Sequence, residues 1–251
     1  MQNYNDKIHI FHHVYLNECG LDIASQQLHL LSTSGLLKHA TKLNIGIVYS
    51  NVELLIQFLK VINTYDIDSN IRVFPDEPNL PSDERRTGMS LKKFADESNG
   101  DEKILYLHTK GASKKDTPFE LSVNYWRQYL EFFNIVNWKD CVDALNKGYD
   151  SCGVMWTEAT WNSIQKSGKH YAGSFYWIKS QIIKRIPTEH FSDSSKYERY
   201  AMEAVPSLIE HKSLCLHKLG PQIKNPYHDL IEPKLYVGTK DKKEHKPRLN
   251  V

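Results

Sequence analysis

Hydrophobic and polar positions along the chain alternate between two periods. Ile8–Leu16 is apolar, β-branched and aromatic without a breaker, and predicts a strand. From Ile23 to Ala40, Ala24, Leu28, Leu31 and Gly35 recur at helical spacing. Asn44–Ser50 (NIGIVYS) predicts a second strand, and its near-continuous apolar character suits a strand covered on both faces. Leu55, Phe58, Leu59 and Ile62 mark a helix, and Ile71–Phe74 a third strand. Pro75–Gly88 reads as a polar loop with three prolines. A short helix over Leu91–Ala95 ends at Ser98-Asn99-Gly100-Asp101, and Lys103–Leu107 is the fourth strand. The order β-α-β-α-β-α-β predicts an α/β fold with a mostly parallel sheet and helices on both faces.

The second half is less regular. Trp126, Tyr129, Leu130 and Phe133 give one helix face, and Trp138, Cys141, Val142 and Leu145 another. Asp150–Trp156 and Tyr171–Ile178 read as strands. Ala201, Ala204, Val205 and Leu208 suggest a helix broken or kinked at Pro206. Ser213–His217 reads as a last strand. Residues 1–239 are expected to form a single domain and 240–251 a polar, charged tail.

Charge and composition narrow the function. Lys and Arg number 32 and Asp and Glu 30, a net +2, which does not favour a nucleic-acid binder. No apolar run approaches the roughly 20 residues of a membrane helix. The first residues show no basic stretch followed by an apolar one, so no signal peptide is expected. Cys19, Cys141, Cys152 and Cys215 are far apart, which argues against a structural zinc site and for a reducing compartment, hence a cytoplasmic protein, peripheral to a membrane at most.

In open α/β sheets, ligands bind beyond the carboxyl ends of the strands. The first strand ends with His13 and Tyr15 near where a nucleoside would lie. The fourth runs into His108, Thr109, Lys110 and Gly111. A lysine and a histidine there could offset phosphate charge, and Gly111 would let the backbone come close. A solvated basic loop is the other reading, and Lys114 and Lys115 are expected on a solvated face. Arg127, beside Trp126, could reach a phosphate bidentately or simply face water. Gly173 and Ser174, in the apolar run Tyr171–Trp177, suggest a close approach of backbone to ligand, or a bulge. Glu198 and Glu203 are too far apart on a helix for both to point into one cleft.

The ordered set of His-Thr-Lys-Gly, Trp-Arg, Gly-Ser-Phe-Tyr-Trp and Glu-Arg-Tyr…Glu, with Pro226-Tyr227-His228…Tyr236, resembles the rhamnan-synthesis (RgpF-like) glycosyltransferases and related enzymes of polysaccharide assembly. The likeness spans roughly residues 8–236. It implies a GT-A, Rossmann-like fold and transfer of a sugar, rhamnose or another hexose, from a nucleotide-diphosphate donor to a glycan acceptor, with inversion. It implies Glu203 as the catalytic base, then Glu198, then Glu158. Lys110 and Arg127 would meet the diphosphate, and Trp126, Gly173, Ser174, Tyr176 and Trp177 would line the acceptor side. Where such enzymes carry a metal-holding Asp-x-Asp, this chain has His108-Thr109-Lys110. Its Asp66-Ile67-Asp68 sits at the wrong end of the third strand and reads as turn chemistry. A divalent metal (Mn or Mg) therefore stays open, with His108, His228 and His217 as candidate ligands. A non-catalytic nucleotide- or carbohydrate-binding module and a sugar nucleotidyltransferase are the alternatives.

Overall fold

The computed structural model describes residues 7–76, 84–160, 166–192 and 200–237, with the side chains of 158–160 and 166–168 also outside the description. The expected tail and Glu198 fall outside these residues.

Nine strands and eight α-helices are described: β1 Ile8–Leu16, α1 Glu18–Thr33, α2 Leu36–His39, β2 Ala40–Tyr49, α3 Val52–Ile62, β3 Ser69–Pro75, α4 Arg85–Glu97, β4 Lys103–His108, α5 Glu120–Glu131, α6 Trp138–Asn146, β5 Ser151–Gly153, β6 Trp156–Thr160, β7 Lys166–Tyr171, β8 Tyr176–Lys179, α7 Ser180–Arg185, α8 Ala201–Ala204 and β9 Ser213–Cys215. The main sheet has the order β3-β2-β1-β4-β8-β5-β9, and β6 and β7 form a separate antiparallel pair. β1 to β4 are mutually parallel, and β8 runs antiparallel between β4 and β5. The chain thus has the predicted Rossmann-like class, a mixed and mostly parallel sheet flanked by helices.

Successive side chains of a strand point to opposite faces. On β1, Ile8, Ile10, Val14 and Leu16 join Leu105 and Leu107 of β4 and Trp177 of β8 in one core, with α1 and α5. Phe11 joins Ile104, Tyr106, Tyr176 and Ile178 in a second core with α4 and α7. The same alternation puts His13, Tyr15 and His108 on the α4 side, and His12 on the α1 side. Burial on both faces is why these strands read as continuous apolar runs.

Several expected boundaries move. The helix expected over Ile23–Ala40 starts at Glu18, where the Asn17 side chain accepts from Gly20 N–H at 2.7 Å. It is broken at Gly35, whose left-handed φ of 78° ends one helix before α2 begins. α4 begins at Arg85 rather than Leu91, because small residues fill its buried stripe. A Cβ on Gly88 would come within 2.4 Å of Met202 Sδ. The strand expected over Asp150–Trp156 is split at Met155, whose φ is +55°. The one expected over Tyr171–Ile178 is split by a turn at Gly173-Ser174, with φ of +96° and +54°. A strand cannot hold two successive residues at positive φ.

Two buried imidazoles support β1 from opposite sides. His12 Nε2–H donates to Gln27 Oε1 at 2.8 Å, and the His13 Nδ1 and Thr87 Oγ1 atoms lie 2.9 Å apart. Gly46 on β2 makes the second contact possible, since a Cβ there would lie 2.0 Å from Thr87 Oγ1. Burial pushes both rings down to about 3, so they fold as neutral imidazoles. In the unfolded chain they take up protons near pH 6.5. The unfolded state therefore binds more protons between these values, and stability falls as pH drops through that window. The expected result is a urea midpoint that declines from pH 7 to pH 5, as the unfolding free energy falls by up to about 1.4 kcal/mol per pH unit per ring. His13→Gln should make the decline shallower, and a midpoint flat over that range would refute this account.

Candidate functional site

Strand order reverses at β1, which has β2 on one side and β4 on the other. Such a switch point leaves a crevice beyond the carboxyl ends of the two strands. A cleft of about 590 Å³ opens there. His13 and His108 are directly opposed in the β1–β4 register. Both line the cleft, with Tyr15, Thr109, Lys110 and Gly111.

The end of β4 is fixed by backbone and side chain together. Thr109 N–H donates to His13 O at 3.1 Å, and Tyr15 N–H donates to Thr109 Oγ1 at 3.0 Å. Gly111 then turns the chain at φ +98°. Lys110 is 8% exposed, with its Nζ 3.6 Å from the centre of the Trp126 ring. Burial lowers its ammonium to about 8, opposed by the carboxylates of Glu203 and Glu84. Among the described residues it forms no ion pair within 4.0 Å, so its charge is held by a ring face and by the field of the two glutamates.

Gly173 closes the opposite wall. Its N–H donates to Glu203 Oε1 at 2.6 Å, and its carbonyl accepts from His108 Nε2 at 3.1 Å. A Cβ there would lie 2.8 Å from Leu130 Cδ1 and 3.3 Å from Lys110 Cε. Ser174 and Glu203 also line the cleft. This strand-connecting turn, rather than a strand, is what brings Gly173 and Ser174 to the site.

Other predicted residues lie elsewhere. Arg127 does not line the cleft. It is buried, 3.1 Å from Glu131 Oε1, and also donates to Asn124 Oδ1 at 2.6 Å. Glu131 in turn accepts from Gln27 Nε2 at 2.9 Å. Trp126 lies beneath Lys110 rather than on the cleft wall. Tyr176 and Trp177 are fully buried in the two cores, bonded to the Met202 and Asn134 carbonyls, because both faces of β8 are covered. His228 is exposed against Phe119, and the His217 ring meets the Tyr129 hydroxyl at 2.9 Å. Glu158 falls on β6, with its side chain outside the description. Asp68 pairs with Lys42 at 3.3 Å at the amino end of β3, away from the cleft.

Sequence reasoning missed Glu84, Tyr200, Tyr227 and Lys114, all of which line the cleft. Lys115, as expected of a solvated lysine, points outward toward Glu18 at 3.8 Å. Tyr227 packs edge-on to Trp126. Glu84 sits just before α4, with Oε1 3.3 Å from His108 Nδ1 and Oε2 accepting from the Tyr106 hydroxyl at 2.8 Å. Asp76, beyond β3, joins burial in raising the Tyr15 phenol.

The resemblance to Asp-x-Asp glycosyltransferases would imply a divalent metal, and the donor set among the described residues does not fit one. Among the described residues no group of three or more His, Cys, Asp or Glu is placed to hold a metal. The expected position carries Lys110, a cation, and His108, one of whose ring nitrogens already donates to Gly173 O.

No protein-family model matches the sequence, and no curated protein matches it. Among solved structures, HddC from Yersinia pseudotuberculosis is similar at 13% identity and a TM-score of 0.45, covering 85% of this chain and 90% of that one. A 4-diphosphocytidyl-2C-methyl-D-erythritol synthase is similar at 11% identity and a TM-score of 0.37, covering 92% and 95%.

Two outcomes separate Lys110 from Arg127. Lys110→Met should weaken binding of inorganic pyrophosphate at least about tenfold by calorimetry, the scale of one charge-assisted hydrogen bond. Wild-type affinity should fall as pH rises through about 8, where Lys110 loses its proton. Arg127→Met should leave pyrophosphate affinity unchanged while lowering folding stability by about 3–5 kcal/mol, because Glu131 loses its buried partner. A stable Arg127→Met protein with weakened pyrophosphate binding would return Arg127 to the anion site.

Proposed function

We propose that the switch-point cleft is the donor site of a nucleotide-sugar-dependent transferase. The observation that carries this is Lys110. It is a buried cation without an ion pair among the described residues, held at the strand end where a donor's diphosphate would lie.

Glycosyl transfer is the first reading, in line with the resemblance to the rhamnan-synthesis enzymes. Glu203 faces the same cleft as Lys110, with one carboxylate oxygen fixed by Gly173 N–H. Its other oxygen would accept the acceptor hydroxyl's proton as the hydroxyl oxygen attacks the anomeric carbon. Lys110 would stabilise the departing nucleoside diphosphate. His13 and Tyr15 would lie beside the nucleoside, and Tyr200 and Tyr227 would offer ring faces to a sugar.

A second reading, sugar nucleotidyl transfer, is favoured by one specific feature. Glu203 is already engaged by Gly173, and a reaction in which a sugar phosphate attacks a nucleoside triphosphate requires no acceptor-side base. Products distinguish the two. The glycosyl reading expects nucleoside diphosphate from a panel of UDP-, dTDP- and GDP-sugars. The nucleotidyl reading expects pyrophosphate from nucleoside triphosphate plus sugar 1-phosphate. For glycosyl transfer, Glu203→Gln should lower kcat by about 100-fold or more, the usual contribution of a positioned base. Near-normal turnover in that variant would remove Glu203 from the chemistry.

A further inference from the structure

In sequence, His108 is a candidate phosphate contact or metal ligand, and Glu84 lies in a polar stretch with no such signal. Their geometry assigns them a different task. His108 Nε2 lies 3.1 Å from Gly173 O, and a carbonyl can only accept, so Nε2 carries a proton. The other ring nitrogen, Nδ1, lies 3.3 Å from Glu84 Oε1. A neutral ring with its proton on Nε2 would leave the bare lone pair of Nδ1 beside a carboxylate oxygen. Two acceptors facing each other in a poorly solvated site repel, and the side chains of His108 and Glu84 are only 18% and 16% exposed. One additional proton between Nδ1 and Oε1 removes the repulsion. Glu84 Oε2 accepts from the Tyr106 hydroxyl at 2.8 Å, which anchors the carboxyl group beside the ring. Phe175 packs edge-on against the ring from the far side.

The surrounding charges make this proton transferable. Burial, then Lys110, then His13 all disfavour a charged His108. A pair holding one shared proton is electrically neutral, so it can sit beside Lys110. Both members line the cleft with Lys110 and Glu203.

We propose that Glu84 and His108 share one proton in the cleft wall and deliver it to the departing phosphate oxygen. The inference rests on the transferase reading and applies to either transfer, since both expel a phosphate. In glycosyl transfer the bond from the anomeric carbon to the donor phosphate oxygen breaks, and that oxygen keeps the electron pair and receives the shared proton. The acceptor oxygen forms the new bond to the anomeric carbon, and its proton passes to Glu203. Return of that proton to the Glu84–His108 pair through solvent restores the resting state. In nucleotidyl transfer the leaving group is pyrophosphate, and the shared proton meets its departing oxygen in the same way. The proton and Lys110 together would then neutralise the leaving group at the position that Asp-x-Asp enzymes give to a metal.

The test begins without any donor. Protein labelled with ¹⁵N-histidine should show His108, assigned by its loss in His108→Gln, with both ring nitrogens at shifts of nitrogens that carry or share a proton. In Glu84→Gln, Nδ1 should move away from that shift. Inorganic pyrophosphate, used as the leaving-group probe, should shift the Nδ1 signal of the wild type. A bare Nδ1 in the wild type, or an Nδ1 signal untouched by bound pyrophosphate, overturns the proposal. With whichever nucleotide sugar or triphosphate is turned over, Glu84→Gln should lower kcat by about 100-fold or more with little change in KM. Its solvent isotope effect should drop toward one, a loss that a merely structural role would not produce. Turnover with a bare Nδ1 sinks the proton proposal alone. An intact shared proton with no turnover of any donor or triphosphate sinks the transferase reading and the delivery step with it.

Discussion

The hydrogen bond from Tyr15 N–H to the Thr109 hydroxyl is the contact on which the cleft depends. β1 continues along β2 to Leu16, but its pairing with β4 stops at His13 opposite His108. Tyr15 N–H therefore faces a strand that has ended, and a buried amide without a partner is costly. The Thr109 side chain supplies the missing acceptor at 3.0 Å. That substitution lets the main chain leave the sheet one residue after β4 without orphaning β1. Lys110 and Gly111 are then free to turn into the crevice. A serine could make the same bond, but Thr109 is 4% exposed, and its methyl group also fills space at the strand end.

Beneath the cleft runs a polar chain that no single residue could sustain. His12 donates to Gln27, and Gln27 donates to both Glu131 and the His108 carbonyl, at 2.9 and 3.1 Å. Glu131 is balanced by Arg127. Burial raises the Glu131 carboxyl, while Arg127 and Gln27 oppose the shift. The network couples α1 and α5 to the backbone of the very residue whose ring faces Glu84. This explains why an arginine that seemed suited to phosphate is withheld from it. Its charge is needed where a buried carboxylate would otherwise have no counter-ion.

The parallel half of the sheet was legible in the sequence because β1, β2 and β4 are largely buried on both faces and the helices between the strands keep their period. The strand-end position of His13, Tyr15, His108 and Lys110 followed from the same pattern. The rest of the site was not legible, for identifiable reasons. Glu84 precedes α4 in a polar, proline-rich stretch, and the tertiary packing of α4, with Thr87 against His13 and Gly46 and Gly88 against Met202, brings it over β4. Arg127 and Trp126 look like a recognition pair in sequence, yet on a helix adjacent residues point in different directions. One lies under Lys110 and the other pairs with Glu131. Gly173 and Ser174 sit in an apolar run that reads as a strand. Their left-handed backbone makes a turn instead, and the closeness of Leu130 and Lys110 leaves no room for a Cβ at Gly173. Tyr176 and Trp177 carry the ring surface expected of a sugar site, but β8 is a central strand, so both faces of it are consumed by core.

Electrostatics give the cleft its character. Lys110 and two glutamates share a poorly solvated volume, and charges there act on one another more strongly than in water. Were both glutamates ionised and His108 neutral, they would offset the charges of Lys110 and Lys114 and leave the cleft no net attraction for a diphosphate. Were His108 fully charged, it would face Lys110 without the solvent that screens such pairs. A proton shared between His108 and Glu84 leaves Lys110 and Glu203 as opposite charges within one cleft. That arrangement presents a cation to a phosphate and a carboxylate to a hydroxyl at the same time. The separation of those two charges, maintained by Gly173 on one side and Trp126 on the other, is what the turn and the helix contribute to the chemistry.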